Sequence, residues 1–361
     1  MFFKYFKYLG AHLVPAVVAF SLYMGGYYTF TALLFLFGFL PFVELFTTGT
    51  KENMDQAEEE MAKEDPIYDF IIYSLFPLQF IVFGFFLYQI SDPNLYLHEI
   101  IGMITAYGMA CGLAINTAHE LGHRSSKVEQ LISKSMLWTT LYMHFFIEHN
   151  RGHHMHVATE EDPGSSRYGE NIYAFFWRSI TTGWLSARTL ERDRLQKAGQ
   201  AIWNLQNEML VYSIAQFLLV LSIAIFFGIH IMLYFLLASF IGILMLEAVN
   251  YIEHYGLSRK KNGRRYERTL PIHSWNSNHP LGRMVLLELS RHSDHHFIAN
   301  RKYQLLRHFD ESPQMPTGYP GMMLLALVPP LWFKVMHKQI DNYQDLFTAQ
   351  ESQDSQDFQP I

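Results

Sequence analysis

Six long apolar runs, roughly residues 8 to 25, 27 to 46, 68 to 90, 95 to 118, 207 to 228 and 231 to 252, constrain this chain more than any other feature. A helix of about 20 apolar residues crosses the hydrocarbon core of a bilayer, and each run is near that length. Half of the 361 residues are hydrophobic, but their gathering into runs, not the average, separates a membrane protein from an aromatic-rich soluble core. The runs pair into three helical hairpins with short turns at Met24 to Gly26, Ser91 to Leu95 and Gly228 to Ile229. Every Lys and Arg lies outside those turns: at the N-terminus (Lys4, Lys7), after the second run (Lys51, Lys63), between runs four and five, or after run six. By the positive-inside tendency both termini and both long segments face the cytoplasm.

The expected fold is therefore all-α: a polytopic membrane protein with six transmembrane helices and a cytoplasmic, helical, histidine-rich region. We expect a single integral-membrane catalytic domain over 1–361, with cytoplasmic segments at about 119–206 and 253–340 and a polar, mobile tail over 341–361. The N-terminal run lacks a small-residue cleavage site and is read as a retained span. Lys51 to Asp65 reads as a charged helical linker. Gly318 to Met336 is nearly long enough to span, but Pro329-Pro330 would break a regular helix, so a surface or re-entrant segment is expected.

Composition closes several routes. The single cysteine, Cys111, excludes disulfides, thiolate zinc and an iron–sulfur centre within this chain, and it reads as a small packing residue. A net charge of −6 gives a nucleic-acid partner no support. With neither a GxGxxG turn nor cysteine pairs, any electrons used in a redox reaction must come from a separate carrier.

The chain has 18 histidines, and nine fall into four tight groups. HELGH holds His119 and His123; EHNRGHH holds His149, His153 and His154; NYIEHYG holds His254; RHSDHH holds His292, His295 and His296. Residues three and four apart share a helix face, so each group can aim its imidazoles at one place. Imidazole binds iron, zinc, copper and nickel, so ligand type alone does not name the metal. Nine donors exceed the four that close a zinc site and suffice for two ions, for which two irons is the economical reading. Glu120, Glu148, Glu253 and Asp294 lie beside ligands and could accept their outer N–H groups, with Glu247 as further support from within the sixth run. Of the rest, His12, His98, His230, His308 and His337 read as packed or surface residues, and His144, His156, His273 and His279 stay undecided. HELGH also fits a zinc protease, with Glu120 as base, but that reading leaves EHNRGHH and RHSDHH without purpose.

Thr105, Gly108, Gly112 and Asn116 descend the fourth run at three- or four-residue steps into His119 and His123. Close helix packing would explain the glycines. Because the stripe ends at ligands, it is also a candidate border for a narrow substrate channel.

At these residues the chain resembles the alkane 1-monooxygenase family. The resemblance is carried by NTAHELGHR, FFIEHNRGHHMHVATEEDPGSSRYGENIYAFFWRS, EAVNYIEHYGLSR, RRYERTLPIHSWNSNHP, LSRHSDHH and LRHFDESPQMPTGYPGM, in the family's order from about Asn116 onward. NYIEHYG discriminates best, since desaturases share looser forms of the other boxes. Arg124 stands where many members have Lys, and HHFIAN departs slightly from the usual pattern; neither touches a ligand. The resemblance implies a six-span protein of the bacterial inner membrane, a cytoplasmic di-iron site on the nine histidines, and terminal hydroxylation of medium or long n-alkanes with dioxygen. It further implies electrons passed from NADH through a rubredoxin reductase and rubredoxin. Arg259, Lys260, Lys261, Arg264, Arg265 and Arg268 form a candidate landing patch for an acidic carrier, or a contact with anionic lipid. Alternatives are a fatty-acyl desaturase or hydroxylase and an aromatic-methyl (xylene-type) monooxygenase of the same class. A transporter would instead bury its ionisable groups near the midplane.

Overall fold

The structure, a computed structural model, describes residues 5–263 and 265–357. Lys4, Arg264 and the last four residues of the expected tail lie outside them. Among the described residues six helices are long and apolar enough to cross a membrane: Phe6–Met24, Gly26–Glu44, Pro66–Gln89, Leu97–Gly122, Glu208–Phe227 and Ile229–His254, hereafter the first to sixth spans. Each lies within a few residues of its sequence-predicted run, and the chain is a multi-pass membrane protein.

The first hairpin turns at Gly25 and Gly26, with φ of 64° and 54°, a left-handed pair that side-chain-bearing residues adopt only under strain. The Gly26 N–H donates to Glu99 Oε1 of the fourth span (2.6 Å), which ties the first hairpin to the second.

The fourth span is the axis of the molecule: 78% of its most apolar stretch is buried, against 17–44% in the other five. Its long partner is the sixth span. A Cβ on Gly108 would lie 2.6 Å from Ile241 Cγ2, and one on Gly242 would lie 2.4 Å from Cys111 Cβ. Missing side chains on both helices thus let the backbones approach, the small-residue mode of membrane packing. The expectation that Gly108 borders a channel is corrected accordingly: it faces the sixth span.

The linker after the second span forms the helix Gln56–Glu64, started by a capping box between Asp55 and Glu58. Outside the spans lie the helices Lys127–Thr139, Ile172–Lys197, Pro280–Val285, His292–Phe297 and Tyr319–Ala326, with a two-stranded ribbon at Lys261–Asn262 and Arg265–Tyr266. Pro329 and Pro330 interrupt the late apolar run as expected: one helix ends at Ala326 and another, Pro329–Asp357, starts at the pair, where their missing N–H groups are harmless. That helix carries through residues 341–357 of the expected tail.

Candidate metal centre

All nine clustered histidines come together at one end of the fourth and sixth spans, in two adjoining nests. His119, His123, His149, His154 and His295 form one; His153, His254, His292 and His296 form the other. Within each nest the potential ligand atoms lie within 4.8 Å of one another. Between nests, the His154 and His296 rings stand 4.5 Å apart.

The partition differs from the sequence boxes. His149 and His153, expected to share a face, enter different nests, because His149–His153 is a turn of π-helix. With i to i+5 hydrogen bonding, His149 is eclipsed by His154, and those two share a nest. The helix His292–Phe297 likewise splits, sending His295 one way and His292 and His296 the other. Only HELGH delivers both of its imidazoles to one place.

Six Nε2 pairs lie within the nests. His119–His295, His123–His149, His149–His154 and His154–His295 are 2.9, 3.0, 3.0 and 3.1 Å apart in the first, and His153–His296 and His254–His292 are 3.2 and 3.3 Å apart in the second. Two nitrogens at about 2.1 Å from one ion and roughly 90° apart stand about 3 Å from each other. Burial first, and neighbouring imidazoles second, hold His149, His154, His292, His295 and His296 well below the usual imidazole range. They are therefore neutral, with lone pairs free to ligate. His153 differs: burial pushes its pKa down, but Asp162 beside it raises it. The donor set fits two metal ions.

The acids fall differently from expectation. Glu120 accepts from Arg124 (3.1 and 2.8 Å) and from the Tyr303 N–H (3.1 Å), not from a ligand, which also removes it as the base of a zinc protease. Asp294 accepts the Arg307 N–H (2.8 Å) and faces Arg301 and Arg307. Glu253 turns inward instead of outward: Oε2 lies 3.2 Å from His292 Nε2, the nitrogen that faces the nest, while Oε1 accepts from Tyr319 Oη (2.8 Å). Glu148 and Glu247 line a small polar chamber of about 330 Å³ with Tyr142, His144, His149 and His153. There Tyr142 Oη donates to Glu247 Oε1 (2.7 Å). Burial, then the charge of Asp162, pushes Glu148 up to about 8.

The orienting carboxylate that sequence reasoning missed is Asp162. Its Oδ2 lies 2.9 Å from His153 Nδ1, and although burial opposes its charge, His153 holds it at about 2. Nothing in the spacing marks it, since it sits nine residues beyond its partner in a Asp-Pro-Gly turn. Among the described residues the outer nitrogens of His292, His295 and His296 meet no protein acceptor.

The other histidines lie outside the nests. His144 lines the polar chamber, where burial lowers it to about 4. His156 faces Glu161, His273 faces Glu267, and His279 pairs with Ser277.

On the membrane side of the nests lies an apolar cavity of about 690 Å³, walled by the first, second, fourth and sixth spans and the 282–289 and 319–323 segments. Among the described residues, Asn116 and Tyr319 are its only polar side chains. Of the expected channel stripe, Gly112 and Asn116 line this cavity. Thr105 does not: its hydroxyl returns to Ile101 O and Gly102 O on its own helix.

Six spans capped by nine converging imidazoles, seven of them buried and His123 and His154 half-buried, define a multi-pass membrane protein built around a metal centre. The family model described as fatty acid desaturase matches residues 95–338. An alkane 1-monooxygenase of Acinetobacter baylyi is 39% identical over 86% of this chain and 76% of its own length. Alkane 1-monooxygenase 2 of Alcanivorax borkumensis is 36% identical over 92% of this chain and 89% of its own. The hydroxylase component of a Pseudomonas putida xylene/toluene monooxygenase is 27% identical over 91% and 87%. The chain belongs to the alkane 1-monooxygenase family.

Proposed function

We propose that this chain hydroxylates the terminal carbon of medium or long n-alkanes, using dioxygen, two irons and electrons from rubredoxin served by an NADH-dependent reductase. The observation that carries this reading is an apolar cavity whose two polar groups lie beside the nests: Asn116 stands one helix turn before His119, and Tyr319 Oη donates to Glu253, which faces His292. A terminal C–H bond is strong and nonpolar, so acid–base chemistry gives no purchase on it. Bound iron supplies the oxidising power from dioxygen.

The chain's own residues do the rest. Met109, Leu113, Val285 and Leu286 exclude water and hold a hydrocarbon chain by contact alone. Asn116 and Tyr319 put the only hydrogen-bonding groups at the histidine end, where a new hydroxyl group would form. Asn116 Nδ2 is engaged by Leu286 O (3.1 Å), which fixes the amide against the cavity wall. The polar chamber beyond His149 and His153 gives protons and water a place apart from the substrate.

The family's alkane activity favours this reading over a fatty-acyl substrate, whose charged head would need a cationic group, and among the described residues none lines the cavity. The reading places the protein in the bacterial inner membrane with the histidines facing the cytoplasm. Electron delivery is assigned to the basic patch after His254. Arg259 Nη2 donates to Met155 O (3.0 Å), beside the ligand His154 and the exposed Met155 side chain, so a carrier docked there would stand close to the first nest.

The test is metal analysis of purified protein combined with product identification from an alkane series supplied with a rubredoxin system. Two irons per chain and primary alcohols are expected. One zinc, or activity only on acyl substrates, would refute the reading.

A further inference from the structure

Between the start of the first span and the 280–291 segment lies a second cavity, about 1080 Å³, and its lining is charged. Lys7 Nζ stands 2.6 Å from Glu288 Oε1, Arg283 Nε 2.6 Å from Oε2, and Arg291 Nε 3.8 Å from the same oxygen. Three cations thus converge on one buried carboxylate, an excess of positive charge, with Lys7 exposed at the mouth and Arg283 and Arg291 buried behind it. Arg291 is itself buried; its terminal nitrogens are held by Leu306 O and Glu52 O (2.8 Å each), but its Nε–H has no hydrogen-bond acceptor. Of the two acids at the rim, Glu59 faces Arg301 at 3.7 Å and Glu52 is exposed. The remaining wall includes Met54, Leu281, Met284 and Leu305, so the cavity is cationic at one end and apolar along its sides.

Its level in the fold is informative. Lys7 belongs to the opening turn of the first span, at the end of the bundle that carries the histidines. A basic pocket between spans at a bilayer boundary is the arrangement that captures lipid head groups. The 280–291 segment also has two faces: Gly282, Val285 and Leu286 line the apolar cavity, while Arg283, Met284 and Glu288 line the charged one. The chain turns between them at Leu287 and Glu288, with φ of 53° and 59°, and then enters Arg291 and the ligand His292.

We propose that this cavity binds the phosphate monoanion of an anionic phospholipid from the surrounding leaflet, with Lys7, Arg283 and Arg291 receiving the phosphate and the methionine and leucine walls the glycerol end. An occupant there braces one wall of the apolar cavity and the start of the His292 helix from outside. The inference does not depend on which substrate the protein oxidises.

The test uses the full chain, delipidated in detergent and reconstituted in nanodiscs of phosphatidylcholine alone, with phosphatidylglycerol, or with inorganic phosphate. Retained lipid is identified by mass spectrometry and the melting temperature is measured in each. About one phosphatidylglycerol per chain should be retained over phosphatidylcholine, with a higher melting temperature. Lys7→Gln should weaken retention about fivefold, the effect of one lysine at a charged surface. Met284→Asp, which leaves all three cations in place but puts a carboxylate in the cavity, should do the same. Equal retention of the two lipids, or variants that hold phosphatidylglycerol as the parent does, would overturn the site. Inorganic phosphate that protects as well at equal concentration would overturn its assignment to lipid.

Discussion

Asp162 is the residue on which the second nest leans, since it fixes His153 by its outer nitrogen and so selects which nitrogen faces a metal. Removing such a partner typically weakens metal binding ten- to a hundredfold. Asp162→Asn should therefore lower metal occupancy after dialysis from two ions per chain toward one, read by elemental analysis, while Glu120→Gln should leave occupancy unchanged. Glu120 and Asp162 also mark what a sequence can and cannot reveal at this scale. The nine imidazoles are legible because ligand spacing is local, whereas an acid beside a ligand in sequence need not touch it. Arg124 and the Tyr303 N–H claim Glu120, and Arg307 claims Asp294. A further check concerns charge. Burial opposes the ionised form of Glu170, but its hydrogen bonds from Arg178 (2.7 Å each) hold its pKa below the usual value. Its contribution is present above about pH 4.3, the unfolded value, and is lost as pH falls through the depressed folded value. Glu170→Gln should flatten that acid-side loss by about 1 kcal/mol or less, since a single ion pair open in part to solvent is worth little; thermal melting from pH 5 to pH 3 reads it.

Among the elements, the spans were legible because bilayer thickness imposes a length that apolar runs must match. The π turn at His149–His153 was not, since nothing in hydrophobic periodicity distinguishes five residues per hydrogen-bonded turn from four. A Cβ on Gly152 would lie 2.5 Å from Glu148 Oε1, so Gly152→Ala should push the Glu148 carboxylate aside while metal occupancy holds, measurable on the purified protein without turnover. The fourth span makes an opposing pair of predictions. Gly108→Leu drives a side chain into Ile241 and should destabilise the bundle by about 1–3 kcal/mol, seen as a lower melting temperature with an unaltered alkane-length profile. Met109→Trp, one residue on, projects into the cavity and should shorten the longest alkane accepted. If instead Gly108→Leu alone shifted chain length, the placement of the cavity would be wrong.

At the scale of the molecule, nine mostly neutral imidazoles packed nitrogen to nitrogen are a poor core by themselves, since few have a protein partner for both ring nitrogens. Metal binding to the folded state should therefore stabilise the whole bundle by mass action. At a hundredfold excess over the dissociation constant the gain per ion is about 2.7 kcal/mol, or about 5 °C in melting temperature, and chelation should reverse it. The helix His292–Phe297 gives this coupling a mechanical form, because it sends imidazoles to both nests from adjacent residues. The spacing of the two nests thus rests in part on one short helix, which serves as a fixed gauge. A rotation of that helix would shift His295 in one nest and His296 in the other at the same instant, so a change there would be felt in both.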